Sequence, residues 1–176
     1  VAQSGDLVCF GGKYFGGPNA TGIIAGSSDL IKAVSAQSFI PTAGALGVGR
    51  SMKLDRQQIV GIVVAVDEWF SMDHTIRISD YDKKISVIYE GIKDLKGVDA
   101  KIQWEDNSFH GSYLIGKIDT EYFGKKAPTI KDELFEGDPS ILIQAPDTET
   151  IRLFVYTLYD GEEHTIAKRL CEILQK

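Results

Sequence analysis

A single lysine, Lys13, lies in a glycine-rich segment that follows an apolar run. In "CFGGKYFGGPNATGIIAG" (9–26), Gly11 and Gly12 precede this lysine directly and a second glycine pair follows it. A lysine on an open turn at the end of a buried strand can reach a pocket with its ammonium partly desolvated. Such a group gives up its proton more readily, so its amine can act as a nucleophile and form a Schiff base. A solvated loop lysine is the simpler alternative.

Other common site patterns are not met. Leu7 and Tyr14 stand where a phosphate-binding P-loop needs a glycine and a serine or threonine. The three histidines, His74, His110 and His164, are scattered without partners at ligand spacing. We therefore predict no metal site.

The composition indicates a globular chain with one core, or a core and a small second domain, since 43% of its 176 residues are hydrophobic and 25% charged. The net charge of −6 disfavours a protein built to bind phosphate backbones. Only two cysteines occur, and the longest apolar stretch, "IVGIVVAV" (59–66), is too short to span a bilayer. We expect a cytoplasmic protein without a membrane segment.

The first part of the chain has the pattern of two buried strands followed by helices. We predict strands at 6–10 and 21–26, then a helix capped by Ser27 or Ser28. The aperiodic stretch 39–51 is a loop or domain junction. A helix over 55–72 begins with a capping box and has an apolar face, whose residues are Ile59, Val63, Val66 and Phe70.

The second part has an α+β pattern. The predicted elements are a helix from Ser79 to Gly97, a hairpin of 99–104 and 112–118, a helix over 129–136, a strand pair at 140–144 and 151–156, and a last helix. Asp160 caps this last helix and Glu163 holds the reciprocal position of the capping box.

Two ordered blocks of the chain resemble one enzyme family. The run "GDLVCFGGKYFGGPNATGIIAGSSDLI" (5–31) resembles the active-site lysine segment of fold-type-I pyridoxal-phosphate enzymes. The group in question is that of bacterial selenocysteine synthase and D-glucosaminate-6-phosphate ammonia-lyase-like proteins. The likeness continues through "GVGRSMKLDRQQIVGIVVAV" (47–66) and the closing "DGEEHTIAKRLCEIL". The matching residues of the first block are Gly11, Gly12, Lys13, Gly17, Pro18 and Gly22.

The resemblance implies an α/β architecture, the C-terminal portion of fold type I. Residues 1–50 would be the tail of the large cofactor-binding domain, incomplete at its N-terminus. Residues 51–176 would form a linker helix and the small C-terminal α+β domain. Val1 begins in the middle of a pattern, so we expect the C-terminal half of a homo-oligomeric enzyme that works with its N-terminal half.

The resemblance also implies the chemistry. Lys13 would hold pyridoxal 5′-phosphate as a Schiff base, with Gly11, Gly12 and Gly17 around the cofactor. It would then move the α-carbon proton of a small amine substrate, an amino acid or amino-sugar acid, in a β-elimination by a lyase or transferase. Arg50 and Lys53 are candidates for a phosphate or carboxylate, or else a solvated pair.

Three departures from the family pattern leave alternatives open. Phe10 replaces a serine, Gly16 stands where a basic residue is frequent, and Gln144 replaces an arginine suited to a substrate carboxylate. Gln144 stays a candidate substrate residue. One alternative is the tRNA-dependent selenium transferase itself, which the acidic charge disfavours. The other is a relative that lost its chemistry and serves as a binding or scaffold protein.

Overall fold

The computed structural model describes residues 5–39, 47–104 and 111–175. The chain divides into two compact units, Val1–Met72 and Asp73–Lys176, while the predicted boundary after residue 50 stays a prediction. The elements are β1 (Leu7–Gly11), β2 (Gly22–Gly26), α1 (Ser28–Ala36), α2 (Arg56–Ser71), α3 (His74–Ile92), β3 (Val98–Gln103), β4 (Tyr113–Ile118), α4 (Thr120–Phe123), α5 (Ala127–Phe135), β5 (Thr150–Leu153) and α6 (Glu162–Leu174). None of the described helices combines the length and apolar character needed to cross a bilayer.

Strands β1 and β2 form an antiparallel pair in the first unit. Their register runs from Leu7 opposite Gly26 to Gly11 opposite Gly22, which confirms both predicted strands within one residue. The expectation that they are buried is wrong for the described structure, because Leu7 is 38% and Phe10 is 40% exposed. Within the described residues these two strands pair only with each other, so the outer edge of each strand has no strand partner there.

Helix α2 confirms the predicted capping box. The Gln58 side chain accepts a hydrogen bond from the Asp55 backbone N–H at 3.2 Å. The predicted apolar face is wrong, since the buried residues are Ile62 and Ala65 whereas Phe70 is 78% exposed. The helix turns its Ile62 side toward the segment that carries Lys13, and this contact decides its orientation.

The core of the second unit lies between its helices and one face of a three-stranded sheet. The sheet has the antiparallel order β3-β4-β5, and α3 packs against α6 and β3 while α5 packs against β5. The predicted hairpin is confirmed, although its connection, residues 105–110, lies outside the described residues. The largest fully buried side chains among the described residues are Ile85, Ile88, Ile92, Leu114, Ile130, Leu134, Ile151, Leu170 and Val155.

Helix α3 begins five residues earlier than predicted, at His74 rather than Ser79. The carboxylate of Asp73 accepts hydrogen bonds from the backbone N–H groups of Thr75 and Ile76, at 2.9 and 3.2 Å. These bonds satisfy two of the free donors of the first turn, so the helix starts here. Gly97 has the expected positive φ of 84°, but it follows the helix by several residues and leads into β3.

The predicted strand pair of 140–144 and 151–156 is wrong. Only Thr150–Leu153 forms a strand, and it pairs with β4. Segment 140–144 is held instead by the end of α5, because the Ile141 N–H donates to the Leu134 carbonyl at 2.9 Å. An isolated antiparallel bridge between Gln144 and Arg152 links this segment to β5.

The predicted cap of the last helix is also wrong. Gly161, with a φ of 94°, holds the N-cap position of α6, and its N–H donates to the Glu163 carboxylate at 3.0 Å. Asp160 instead pairs with the Lys84 ammonium at 2.8 Å. Glycine takes the cap because this backbone conformation is strained for other residues.

Candidate active site

Lys13 lies on a single 3₁₀ turn, Gly12–Phe15, that directly follows β1. The turn is fixed on both sides by backbone hydrogen bonds. The Gly12 N–H donates to the Thr21 carbonyl at 2.7 Å, and the Gly17 N–H donates to the Gly12 carbonyl at 3.0 Å. The fold therefore places the predicted cofactor lysine at a defined position rather than within a long loop.

Helix α2 supports this turn from one side. A Cβ atom on Gly12 would lie 2.7 Å from the Ile62 Cδ1 atom, and one on Gly17 would lie 2.8 Å from the same atom. The Phe15 ring also meets the Trp69 ring edge-on, with 5.5 Å between centroids. Packing against α2 thus requires glycine at two of the three predicted glycine positions.

The third glycine, Gly11, has no such restriction. Its φ of −72° and ψ of 132° are ordinary extended values. A Cβ atom there would meet the ring of Tyr14 at 3.3 Å, and Tyr14 is 48% exposed rather than packed in the core.

The side chain of Lys13 is exposed, so the partial desolvation expected from the sequence is not found in the described structure. Its ammonium nitrogen lies 5.1 Å from the centroid of the Tyr14 ring, within cation–π range. Among residues 5–39, 47–104 and 111–175, no carboxylate forms an ion pair with Lys13. A primary amine not held by an acid can bond covalently to an aldehyde, which fits attachment of pyridoxal phosphate.

Two of the departures from the family pattern have local structural reasons. Gly16 has a φ of 81° and ends the turn, with its N–H donating to the Lys13 carbonyl at 3.2 Å. A basic residue would be strained in this left-handed conformation. The Phe10 ring packs edge-on against the Phe15 ring, with 6.3 Å between centroids, and thereby braces the turn.

Arg50 and Lys53 lie on another element, the 3₁₀ helix Val48–Met52 and its C-cap. Both residues are exposed. Within the described part of the chain, no hydrogen bond or ion pair joins either side chain to the Lys13 turn. Gln144 belongs to the second unit, where its backbone pairs with Arg152.

Sequence reasoning missed two residues that hold the turn, Thr21 and Ile62. Thr21 is 6% exposed and its hydroxyl donates to the Pro18 carbonyl at 2.6 Å. The available signal was a threonine three residues after a proline, a spacing typical of turns. Ile62 gave no separate signal, because it stands in a helix that is apolar on several sides.

Comparison with known proteins identifies two relatives along almost the whole chain, although no model of a known protein family matches it. The chain is 26% identical over 177 residues to a 5′-C-glycyluridine monooxygenase-decarboxylase from Streptomyces sp., covering 99% of this chain and 42% of the relative. It is 25% identical over 179 residues to the D-glucosaminate-6-phosphate ammonia lyase of Salmonella typhimurium, covering 99% and 45%. The chain spans less than half the length of these relatives.

A solved structure of D-glucosaminate-6-phosphate ammonia-lyase has the same fold. It superposes with a TM-score of 0.72 at 24% identity, covering 99% of this chain and 45% of that one. The match falls in the C-terminal part of the enzyme. The chain therefore has the fold of the C-terminal part of a fold-type-I pyridoxal-phosphate enzyme, and its predicted resemblance to the D-glucosaminate-6-phosphate ammonia-lyase group is confirmed.

Proposed function

We propose that this chain belongs to a pyridoxal-phosphate-dependent lyase or transferase that acts on an amino-sugar acid or a similar amine, with Lys13 as the attachment residue. The proposal is supported chiefly by the similarity to D-glucosaminate-6-phosphate ammonia lyase along 99% of the chain. It is supported further by the turn that presents the Lys13 amine without an acidic partner among the described residues.

When bound, the cofactor supplies an aldehyde for attachment and a ring that accepts the electron pair left on the substrate α-carbon. The chain's own residues hold and present the amine. The 3₁₀ turn fixes the backbone of Lys13, Gly12 and Gly17 let that turn lie against α2, and Gly16 ends it. With cofactor and substrate bound, the Nζ atom of Lys13 would act as the base that takes the proton from the substrate α-carbon.

The attachment is tested by borohydride reduction of the complete protein incubated with pyridoxal phosphate, followed by peptide mapping. We expect the reduced cofactor on Lys13, loss of the adduct in Lys13→Ala, and an unchanged adduct in the matched variant Lys53→Ala. An adduct on Lys53, or no adduct at all, would overturn the assignment. The second outcome would favour the binding or scaffold alternative.

The reaction is tested by measuring ammonia and keto-acid release from D-glucosaminate 6-phosphate and a panel of related amino acids. Release that requires Lys13 and proceeds without oxygen supports the lyase. A second candidate rests on the equally long match to the 5′-C-glycyluridine monooxygenase-decarboxylase. Carbon dioxide release from 5′-C-glycyluridine, accompanied by oxygen consumption, would favour that candidate instead.

A further inference from the structure

The ammonium group of Lys13 bends back toward the ring of the next residue, Tyr14. The two residues are consecutive on the 3₁₀ turn Gly12–Phe15, and neighbouring side chains leave such a turn about 120° apart, at three residues per turn. The Lys13 ammonium nitrogen nevertheless lies 5.1 Å from the centroid of the Tyr14 ring. The lysine chain therefore folds over the ring instead of extending away from it.

The Tyr14 ring lies back over the end of β1. Its Cδ2 and Cε2 atoms are each 3.3 Å from the position that a Cβ atom on Gly11 would take. The next residue of the turn, Phe15, packs against Trp69 of α2 instead. The two aromatic residues of the turn thus have different partners, and Tyr14 is the one that contacts the Lys13 ammonium.

An aromatic ring acts differently on the two forms of a lysine side chain. The negative face of the ring attracts an ammonium ion, whereas a neutral amine has no charge for it to attract. No carboxylate of the described residues forms an ion pair with Lys13, so no acid competes with the ring for the ammonium. The ring therefore favours the charged form, which lacks the electron pair that attacks an aldehyde.

We propose that Tyr14 is a positioning residue for Lys13. Its ring holds the amine over the turn in the charged form, and thereby slows the reaction of Lys13 with small aldehydes that the protein does not otherwise bind. An aldehyde that gains further contacts with the protein, as a bound cofactor does, overcomes so small a restraint. The inference rests on the proposed function, because it concerns the reactivity of the amine that would carry the cofactor.

The test is reductive methylation of the complete protein with formaldehyde and cyanoborohydride, without pyridoxal phosphate and near neutral pH. Peptide mapping by mass spectrometry gives the initial rate at each lysine. Tyr14→Leu should raise the rate at Lys13 about 2–5-fold, which corresponds to the loss of an exposed cation–π contact of about 0.5–1 kcal/mol. Tyr14→Phe keeps the ring and should keep the slow rate of the wild type. A rate at Lys13 that is the same in Tyr14→Leu and the wild type would overturn the proposal.

The second unit offers a matched control. The Lys96 ammonium nitrogen lies 5.0 Å from the centroid of the Tyr122 ring, and Tyr122 is 49% exposed against 48% for Tyr14. Tyr122→Leu should therefore speed methylation at Lys96 and leave Lys13 unchanged. An equal increase at Lys13 would show a general effect on the protein and would contradict the specific role of Tyr14.

The pH dependence separates attraction of the charge from simple shielding by a bulky ring. The ratio of the Lys13 rates in Tyr14→Leu and Tyr14→Phe should fall toward one as the pH approaches about 10.4, the ordinary range of lysine, because the amine is then largely neutral in both variants. A ratio that stays constant would mean that the ring only shields the amine, and the proposal would be wrong. No cofactor enters this test. Failure of Lys13 to trap pyridoxal phosphate would therefore refute the proposed function and leave these rates unchanged.

Discussion

Replacing Gly12 with alanine should displace the turn that carries Lys13. The new Cβ atom would overlap the hydroxyl of Thr21 and would lie 2.7 Å from the Cδ1 atom of Ile62. The Thr21 side chain cannot rotate away freely, because Thr21 is only 6% exposed and its hydroxyl donates a hydrogen bond to the Pro18 carbonyl. Overpacking of this kind typically costs about 1–3 kcal/mol.

The matched control is Gly11→Ala, one residue earlier. Gly11 has an extended backbone that alanine adopts without strain, and its Cβ atom would lie 3.3 Å from the exposed Tyr14 ring and 4.0 Å from the Lys13 Cγ atom. The stability of this variant should stay within about 1 kcal/mol of the wild type, since alanine also reduces the entropy of the unfolded chain. If the unfolding free energies of Gly12→Ala and Gly11→Ala differ by about 2 kcal/mol, their melting temperatures should differ by roughly 4–8 °C.

The assay is thermal unfolding of both variants, paired with borohydride trapping of pyridoxal phosphate. Gly12→Ala should lose both stability and trapped cofactor, whereas Gly11→Ala should keep both. Ile62→Val removes the Cδ1 atom and should restore part of the stability of Gly12→Ala in the double variant. Equal melting temperatures for the two alanine variants would refute the argument that α2 fixes the turn.

Two further predictions concern the second unit. The hydrogen bond and charge of Lys84 lower the pKa of the Asp160 carboxyl below its usual value. The folded state thus favours the ionised carboxylate. The pair therefore stabilises the fold fully at pH values above the ordinary aspartate pKa near 3.9, and this stabilisation is lost as the pH falls through the lowered pKa of Asp160. Asp160→Asn should remove that part of the pH dependence in acid unfolding curves, and identical curves would contradict the assignment. Leu170→Ala removes a fully buried side chain and should destabilise by about 2–5 kcal/mol in urea unfolding. A loss below about 1 kcal/mol would show that α6 is not part of the core.

The spacing of apolar residues predicted those helices of the second unit whose apolar residues all lie on one side of the helix. Ile85, Ile88 and Ile92 recur at helical spacing and all three are fully buried. The start of α3 was missed because its first turns follow a polar cap and Ile76 is 60% exposed. A helix start that is fixed by a side-chain hydrogen bond leaves no pattern of apolar residues from which it could be predicted.

The orientation of α2 could not be predicted from its own sequence. The helix carries apolar residues on several sides, and Val60 and Val63 are each 62% exposed. Periodicity selects a face only when the remaining positions are polar. Here the buried side is set by Gly12 and Gly17, which leave room for Ile62 more than forty residues later in the chain.

The partner of β5 was missed for a similar reason. Segments 140–144 and 151–156 are both apolar and close in sequence, so a local hairpin was the natural prediction. The structure pairs β5 with β4 instead and holds 140–144 against the end of α5. Pairing between strands distant in sequence depends on the shape of the core, which no local pattern contains.

The scaffold alternative rests on three departures, and the structure bears on each of them. Gly16 occupies a left-handed position where a basic residue would be strained, and Phe10 packs against the turn. The third departure, Gln144, lies in the second unit, where its backbone pairs with Arg152. Two of the three departures, at Gly16 and Phe10, thus have structural reasons that are compatible with a working enzyme. The lysine on its turn then remains the feature that separates enzyme from scaffold, and cofactor trapping at Lys13 decides between them.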